Sequence, residues 1–206
     1  MKCSKKCSLM ALCVAFASFC FANEASESLE NGFEALESKY VILENEYKTG
    51  LSKIESVLEA TKATKNRADN ARNKAVLAAK KAISKNKESN KETPTSKEAQ
   101  AKEQQYMGAT FKVMEISDKT KSAASKASAE LSRAKSIKNK VEAVRNKAKS
   151  SNVAFSKFET ALKEYELAVQ KATATINEFE IAAKEYEAIV SEFETVAKGY
   201  EEATQK

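Results

Sequence analysis

An aromatic residue returns every seventh position near the C-terminus: Phe158, Tyr165, Phe179, Tyr186, Phe193 and Tyr200, with Ala172 filling the one remaining rung. A seven-residue apolar repeat is satisfied only by helices that lie side by side and share a long seam. The rest of the chain obeys the same rule. In the first half, Phe33, Tyr40, Tyr47, Ile54, Thr61, Ala68, Ala75 and Ala82 repeat at seven. Leu29, Leu36, Leu43, Gly50, Val57, Thr64, Ala71 and Ala78 interleave with them at alternating three-four spacing. A second seam runs through Tyr106, Val113, Thr120, Ala127, Ala134, Val141 and Ala148 and continues in phase from Phe155 to Ala197, with no charged residue on it. Beside it a further series passes through Ile137, Val144 and Phe158 into the aromatic ladder.

Breakers are few. The chain has one proline, Pro94, and four glycines, Gly32, Gly50, Gly108 and Gly199. No alternating apolar pattern bounded by turns predicts a strand. The polar stretch from Asn86 to Ser96 holds the proline, and Thr95-x-x-Glu98 has the spacing of a capping box that starts a new helix. Lys149-Ser150-Ser151-Asn152 is the other short polar stretch suited to a turn. The helical register passes through Gly50 unbroken, which predicts a local weakness of about 1 kcal/mol against Ala rather than a turn. A break there, capped by Ser52-x-x-Glu55, is the alternative.

The N-terminus, MKCSKKCSLMALCVAFASFCFANE, combines Lys2, Lys5 and Lys6 with an apolar run from Leu9 to Phe21. That is the pattern of a secretory signal peptide, residues 1–22, with cleavage after Ala22. The run is shorter than the roughly 20 apolar residues of a spanning helix. Lipidation at Cys20 is disfavoured by bulky Phe19 before it. All four cysteines (Cys3, Cys7, Cys13, Cys20) fall inside this segment. The expected mature chain is therefore free of cysteine, which excludes disulfides and thiolate chemistry. Histidine is absent throughout, which removes the commonest general base and transition-metal ligand.

Charge is segregated. Residues 23–60 carry net −6, residues 61–150 net +14 and residues 151–206 net −5. Folding the chain up, down and up sets the acidic start of helix 1 beside the basic end of helix 2 (Lys119 to Lys149). It also sets the basic end of helix 1 (Lys62 to Lys85) beside the acidic end of helix 3 (Glu178 to Glu202). Side-chain size agrees, because the same fold places Ala68, Ala71, Ala75, Ala78 and Ala82 opposite Phe179, Tyr186, Phe193 and Tyr200.

The reading is an all-α, elongated antiparallel three-helix bundle or coiled coil in one domain, residues 23–206, behind the signal peptide. Helix 1 covers about 26–86, the loop 87–96, helix 2 about 97–149 and helix 3 about 152–205. The alternative is a short helix packed on one very long helix that dimerises through the aromatic tail. Asn31-Gly-Phe-Glu with Tyr40 and Tyr47 echoes Asn177-Glu-Phe-Glu with Tyr186 and Phe193, a likeness that a shared heptad pattern explains as well as a duplication does.

No constellation specifies a reaction. Glu159, Glu166, Glu180, Glu187 and Glu194 flank the ladder as solvated heptad positions, without the dry cleft a catalytic carboxylate needs. No catalytic, cofactor-binding or metal-binding residue is assigned, and no enzyme activity or cofactor is expected. The expected function is an exported, secreted or periplasmic, non-enzymatic interaction protein, an adhesin-like or structural rod with a protein partner. A periplasmic holdase-type chaperone and a lipid-binding bundle are the alternatives. The basic middle segment suits an anionic polymer or lipid as a further partner, nucleic acid is not expected, and a homo-oligomer is compatible with the seams. On secretion, the N-terminal residue found by mass spectrometry should be Asn23; a mature chain that retains Cys20 overturns the cleavage site.

Overall fold

The computed structural model describes residues 4–88, 97–148 and 151–205, with side chains over 30–84, 100–148 and 151–204. Helix α1 spans Ser4–Glu88, α2 spans Lys97–Arg145 and α3 spans Asn152–Gln205. The three pack against one another as an all-α three-helix bundle, and no strand occurs among the described residues.

Helix α1 reaches back to Ser4 instead of starting near residue 26, since the apolar run from Leu9 to Phe21 contains no glycine or proline to stop it. The side chains of the leader segment, Pro94 and the Thr95-x-x-Glu98 box lie outside the described residues. Helix α2 ends at Arg145, a turn earlier than the polar stretch suggested. The chain then turns through residues 146–148, where the Lys147 N–H donates to the Val144 carbonyl at 3.1 Å. Ser151 starts α3 as its N-cap: its hydroxyl accepts from the Ala154 N–H at 3.2 Å, and its carbonyl accepts from the Phe155 N–H at 2.9 Å. Helices α2 and α3 are therefore separate, which sets aside the single very long helix.

The chain divides into two compact units. Unit 1 comprises α1 up to Lys48, α2 from Ser132 and α3 up to Gln170. Here α1 and α3 run parallel and both supply large rings. Phe33 meets Phe158 at 5.7 Å between ring centroids, and Tyr165 meets Tyr40 at 6.3 Å and Tyr47 at 6.5 Å. Antiparallel α2 and the turn after it supply the small side, with Ala134, Val141 and Ala148 fully buried.

Unit 2 comprises Thr49–Leu131 and Lys171–Lys206. The small side now belongs to α1. Ala68 packs with Ile116, Tyr186 and Val190, and Ala75 packs with Tyr106, Phe193 and Ala197. Tyr106 of α2 also stacks on Tyr200 at 5.0 Å and 16°. Gly50 takes part in this matching. It leaves α1 unbroken, and a Cβ at that position would lie 3.2 Å from Ile176 Cδ1 and 3.7 Å from Leu131. The glycine read as a weak point is thus a close-approach position that makes room for Ile176.

Polar groups on the seam are handled one by one. The buried Thr120 hydroxyl donates to the Ile116 carbonyl at 2.7 Å and lies 3.1 Å from the Ala182 carbonyl of α3. Tyr40 Oη donates to Glu142 at 2.9 Å, and the Arg145 guanidinium sits 4.8 Å over the Tyr40 ring. Tyr165 is fully buried, and its hydroxyl has no hydrogen-bond partner among the described residues. Burial pushes the Tyr165 hydroxyl above the usual tyrosine range, and burial with the Glu142 hydrogen bond does the same at Tyr40.

Two substitutions test this packing by thermal or chemical denaturation. Phe179→Ala removes a ring with no exposed surface and should cost about 3–5 kcal/mol. Tyr165→Phe removes only the unpaired hydroxyl and should stabilise the chain by about 1 kcal/mol. A loss of stability in Tyr165→Phe would mean that the hydroxyl has a partner.

Candidate interaction surface

The ladder residues Phe158, Tyr165, Ala172, Phe179, Tyr186 and Phe193 are all buried, and Tyr200 is partly so. They form the core and present no sticky outer face. Part of the basic middle segment is tied to acidic neighbours on other helices. In unit 1, Arg145 forms a two-pronged pair with Glu37, its Nε donating at 2.6 Å, and Lys138 pairs with Glu44 at 3.0 Å. In unit 2, Arg67 reaches Glu194 at 2.6 Å and Glu187 at 3.8 Å, as expected, whereas Lys119, expected beside the acidic start of α1, reaches Glu185 of α3 at 2.6 Å.

The glutamates beside the ladder are engaged more than expected. Glu166 accepts from Lys39 at 2.7 Å, and Glu180 holds both Lys53 at 2.6 Å and Lys184 at 2.8 Å. They stitch α3 to α1 where a solvated row was expected. Lys184, then Lys53, lower the Glu180 carboxyl to about 2, and Arg67 lowers that of Glu194. These groups remain partly open to water, so pairing directs neighbours more than it stabilises.

Two core residues of α2, Ile116 and Leu131, were missed by heptad reading. Ile116 continues the Ile137–Val144 series backward by sevens, but Glu130 interrupts that series. One Glu130 carboxylate oxygen is buried without a hydrogen-bond partner among the described residues. A stricter search for the second apolar series would have found Ile116 and not Leu131.

What faces outward is more informative. Several large apolar side chains are exposed one at a time, such as Val153, Leu167 and Ile181 on α3, which is ordinary for a folded surface. On α2 three of them adjoin. Met107 is 50% exposed, Phe111 65% and Met114 54%, at spacing i, i+4, i+7. They lie on one face of the helix, turned away from the Tyr106–Val113–Thr120 seam. Gly108 sits in their midst, and a Cβ built there meets nothing within 4 Å. Shallow grooves border this face: one toward α1 includes Ala68, Thr110 and Met114, and one toward α3 includes Gly108, Lys112 and Ile189. Among the described residues, no group of histidine, cysteine and carboxylate side chains is placed to hold a metal, and no helix is long and apolar enough to cross a membrane.

Glu180 provides a pH test of the α1–α3 stitching. Its folded-state value lies below the ordinary carboxylate value, so its contribution is present above about 4.5 and is lost as pH falls toward about 2. Glu180→Gln should therefore lower the melting temperature at neutral pH, and the gap to wild type should close in acid. A gap that persists at pH about 2 would show that the pairing is not its cause. No protein-family model, no curated protein and no solved structure matches this chain.

Proposed function

We propose that this chain is an exported, non-enzymatic interaction protein that works by presenting outward helix faces to a protein partner. The observation that carries the reading is the exposed row Met107, Phe111 and Met114. The core is already filled by the aromatic ladder and the small residues opposite it, so the fold does not need these side chains inside. Contiguous apolar surface of this kind marks an interaction site. A row at i, i+4, i+7 is the form in which one helix offers anchors to another surface. Methionine suits such a face because its unbranched thioether adapts to its partner.

The holdase and lipid-binding alternatives both require the core to open. The interaction reading uses a face that is already outside. Export is supported by the Lys-rich, then apolar, N-terminal pattern, and an anionic polymer remains a second partner class through basic groups of α2 such as Lys126, Arg133, Lys135 and Lys140.

The test compares partner capture from an envelope or host-surface extract by wild type, Phe111→Glu and Leu167→Glu. Wild type and Leu167→Glu should retain the same partner, and Phe111→Glu should lose it with its helical circular dichroism unchanged. Equal capture by all three would remove the α2 face from the function.

A further inference from the structure

We infer that unit 2 carries a second interaction surface, the outward face of α1 from Arg72 to Ser84, and that its occupant is an anionic lipid bilayer met with the bundle closed. Ala75 and Ala78 are buried in the core, which turns Val76, Leu77, Lys80 and Ile83 away from it. Val76 is 38% exposed, Leu77 56% and Ile83 59%. Lys80 lies among them on the helix surface, and exposed Arg72 and Lys81 flank them on either side. The sequence has no acidic residue from Asn70 to Lys87.

The charge beside an exposed apolar side chain decides what can cover it. Val41 has Glu37 and Glu44 one turn away, and Ile181 has Glu178 and Glu185. The α1 face combines its apolar side chains with cations alone. Arg72, Lys80 and Lys81 are in no ion pair among the described residues. Asp69 and Asp118 share a groove with Arg72, but Lys65 holds the first at 3.5 Å and Lys121 the second at 2.9 Å. Lys74 belongs to the other side, in a polar groove with Glu194 and Glu201 of α3.

A soluble polyanion satisfies the three cations and leaves Val76, Leu77 and Ile83 in water. An anionic bilayer covers both: the apolar side chains enter the boundary between headgroups and acyl chains, and the cations meet the phosphates. Lysine and arginine suit such a boundary, because their apolar stems accompany apolar neighbours while the charge reaches outward. The aromatic ladder stays in the core throughout, which separates this contact from a bundle that opens onto lipid. Three cations and three partly exposed apolar side chains make the contact weak and reversible.

The chain has no tryptophan, so Leu77→Trp places a single fluorescent reporter on this face of the full chain. With vesicles of phosphatidylcholine and phosphatidylglycerol, its emission should shift to the blue and be quenched by brominated acyl chains. With phosphatidylcholine alone neither should occur, and Leu167→Trp on α3 should stay unquenched with both. Adding Arg72→Gln, Lys80→Gln and Lys81→Gln to the Leu77→Trp chain should weaken partition about hundredfold, at about fivefold for each cation, with circular dichroism unchanged. A Leu77→Trp chain that is unquenched with the mixed vesicles, or equally quenched with both kinds, overturns the anionic bilayer as occupant. Equal quenching of Leu77→Trp and Leu167→Trp overturns the α1 face as the contact. Binding of inorganic polyphosphate through the same three cations, without quenching by lipid, makes a soluble polymer the occupant and overturns the bilayer too. These outcomes leave the α2 face untouched, since capture by Phe111→Glu decides that reading separately.

Discussion

The structure depends on matching large side chains of α3 to small ones elsewhere. A helix that carries Phe158, Tyr165, Phe179, Tyr186 and Phe193 on one stripe cannot meet two equally bulky neighbours at the same level without separating them. Interiors pack near crystal density, so a ring on one helix needs an alanine or glycine on another. The chain meets this demand differently in its two units. In the first, α1 is large and α2 is small; in the second, the Ala68–Ala75–Ala78 stretch of α1 is small and Tyr106 and Ile116 of α2 fill the third side. Gly50 belongs to the same logic, since its missing side chain is occupied by Ile176.

Charge decides which helices are neighbours rather than how stable they are. The interhelical pairs Glu37–Arg145 and Glu44–Lys138 are partly exposed, and each contributes about 1 kcal/mol or less. Buried polar groups add a finer constraint. Thr120 and Tyr40 find acceptors, while the Tyr165 hydroxyl and one Glu130 oxygen find no partner among the described residues, so the core is specified chiefly by shape.

The proposed function rests on what this packing leaves outside. Apolar residues of α2 occupy two stripes, and only one is needed by the fold. The stripe of Met107, Phe111 and Met114 keeps its apolar surface in water, which costs solubility unless another molecule covers it.

Much of this fold was legible in the sequence. The seams from Phe33 to Ala78 and from Tyr106 to Ala197 carry no fully exposed member, because a seven-residue period directly encodes one face of a helix. The polar stretch at 149–152 correctly separated α2 from α3, and charge segregation anticipated the α1–α2 pairs of unit 1 and the Arg67–Glu194 pair of unit 2, though not that of Lys119 with α3. Other features depended on three dimensions. The pairing of Glu166 and Glu180 with lysines of α1 needs the rotation of α3 about its axis, which spacing along one helix does not contain. The role of Gly50 needs Ile176, more than a hundred residues away in the chain. The sequence by itself determined that the Tyr106–Val113–Thr120 seam of α2 turns inward, because a seven-residue period encodes one helix face. That Met107, Phe111 and Met114 stay outside was decided only by the tertiary structure, because facing residues of α1 and α3 already fill the core.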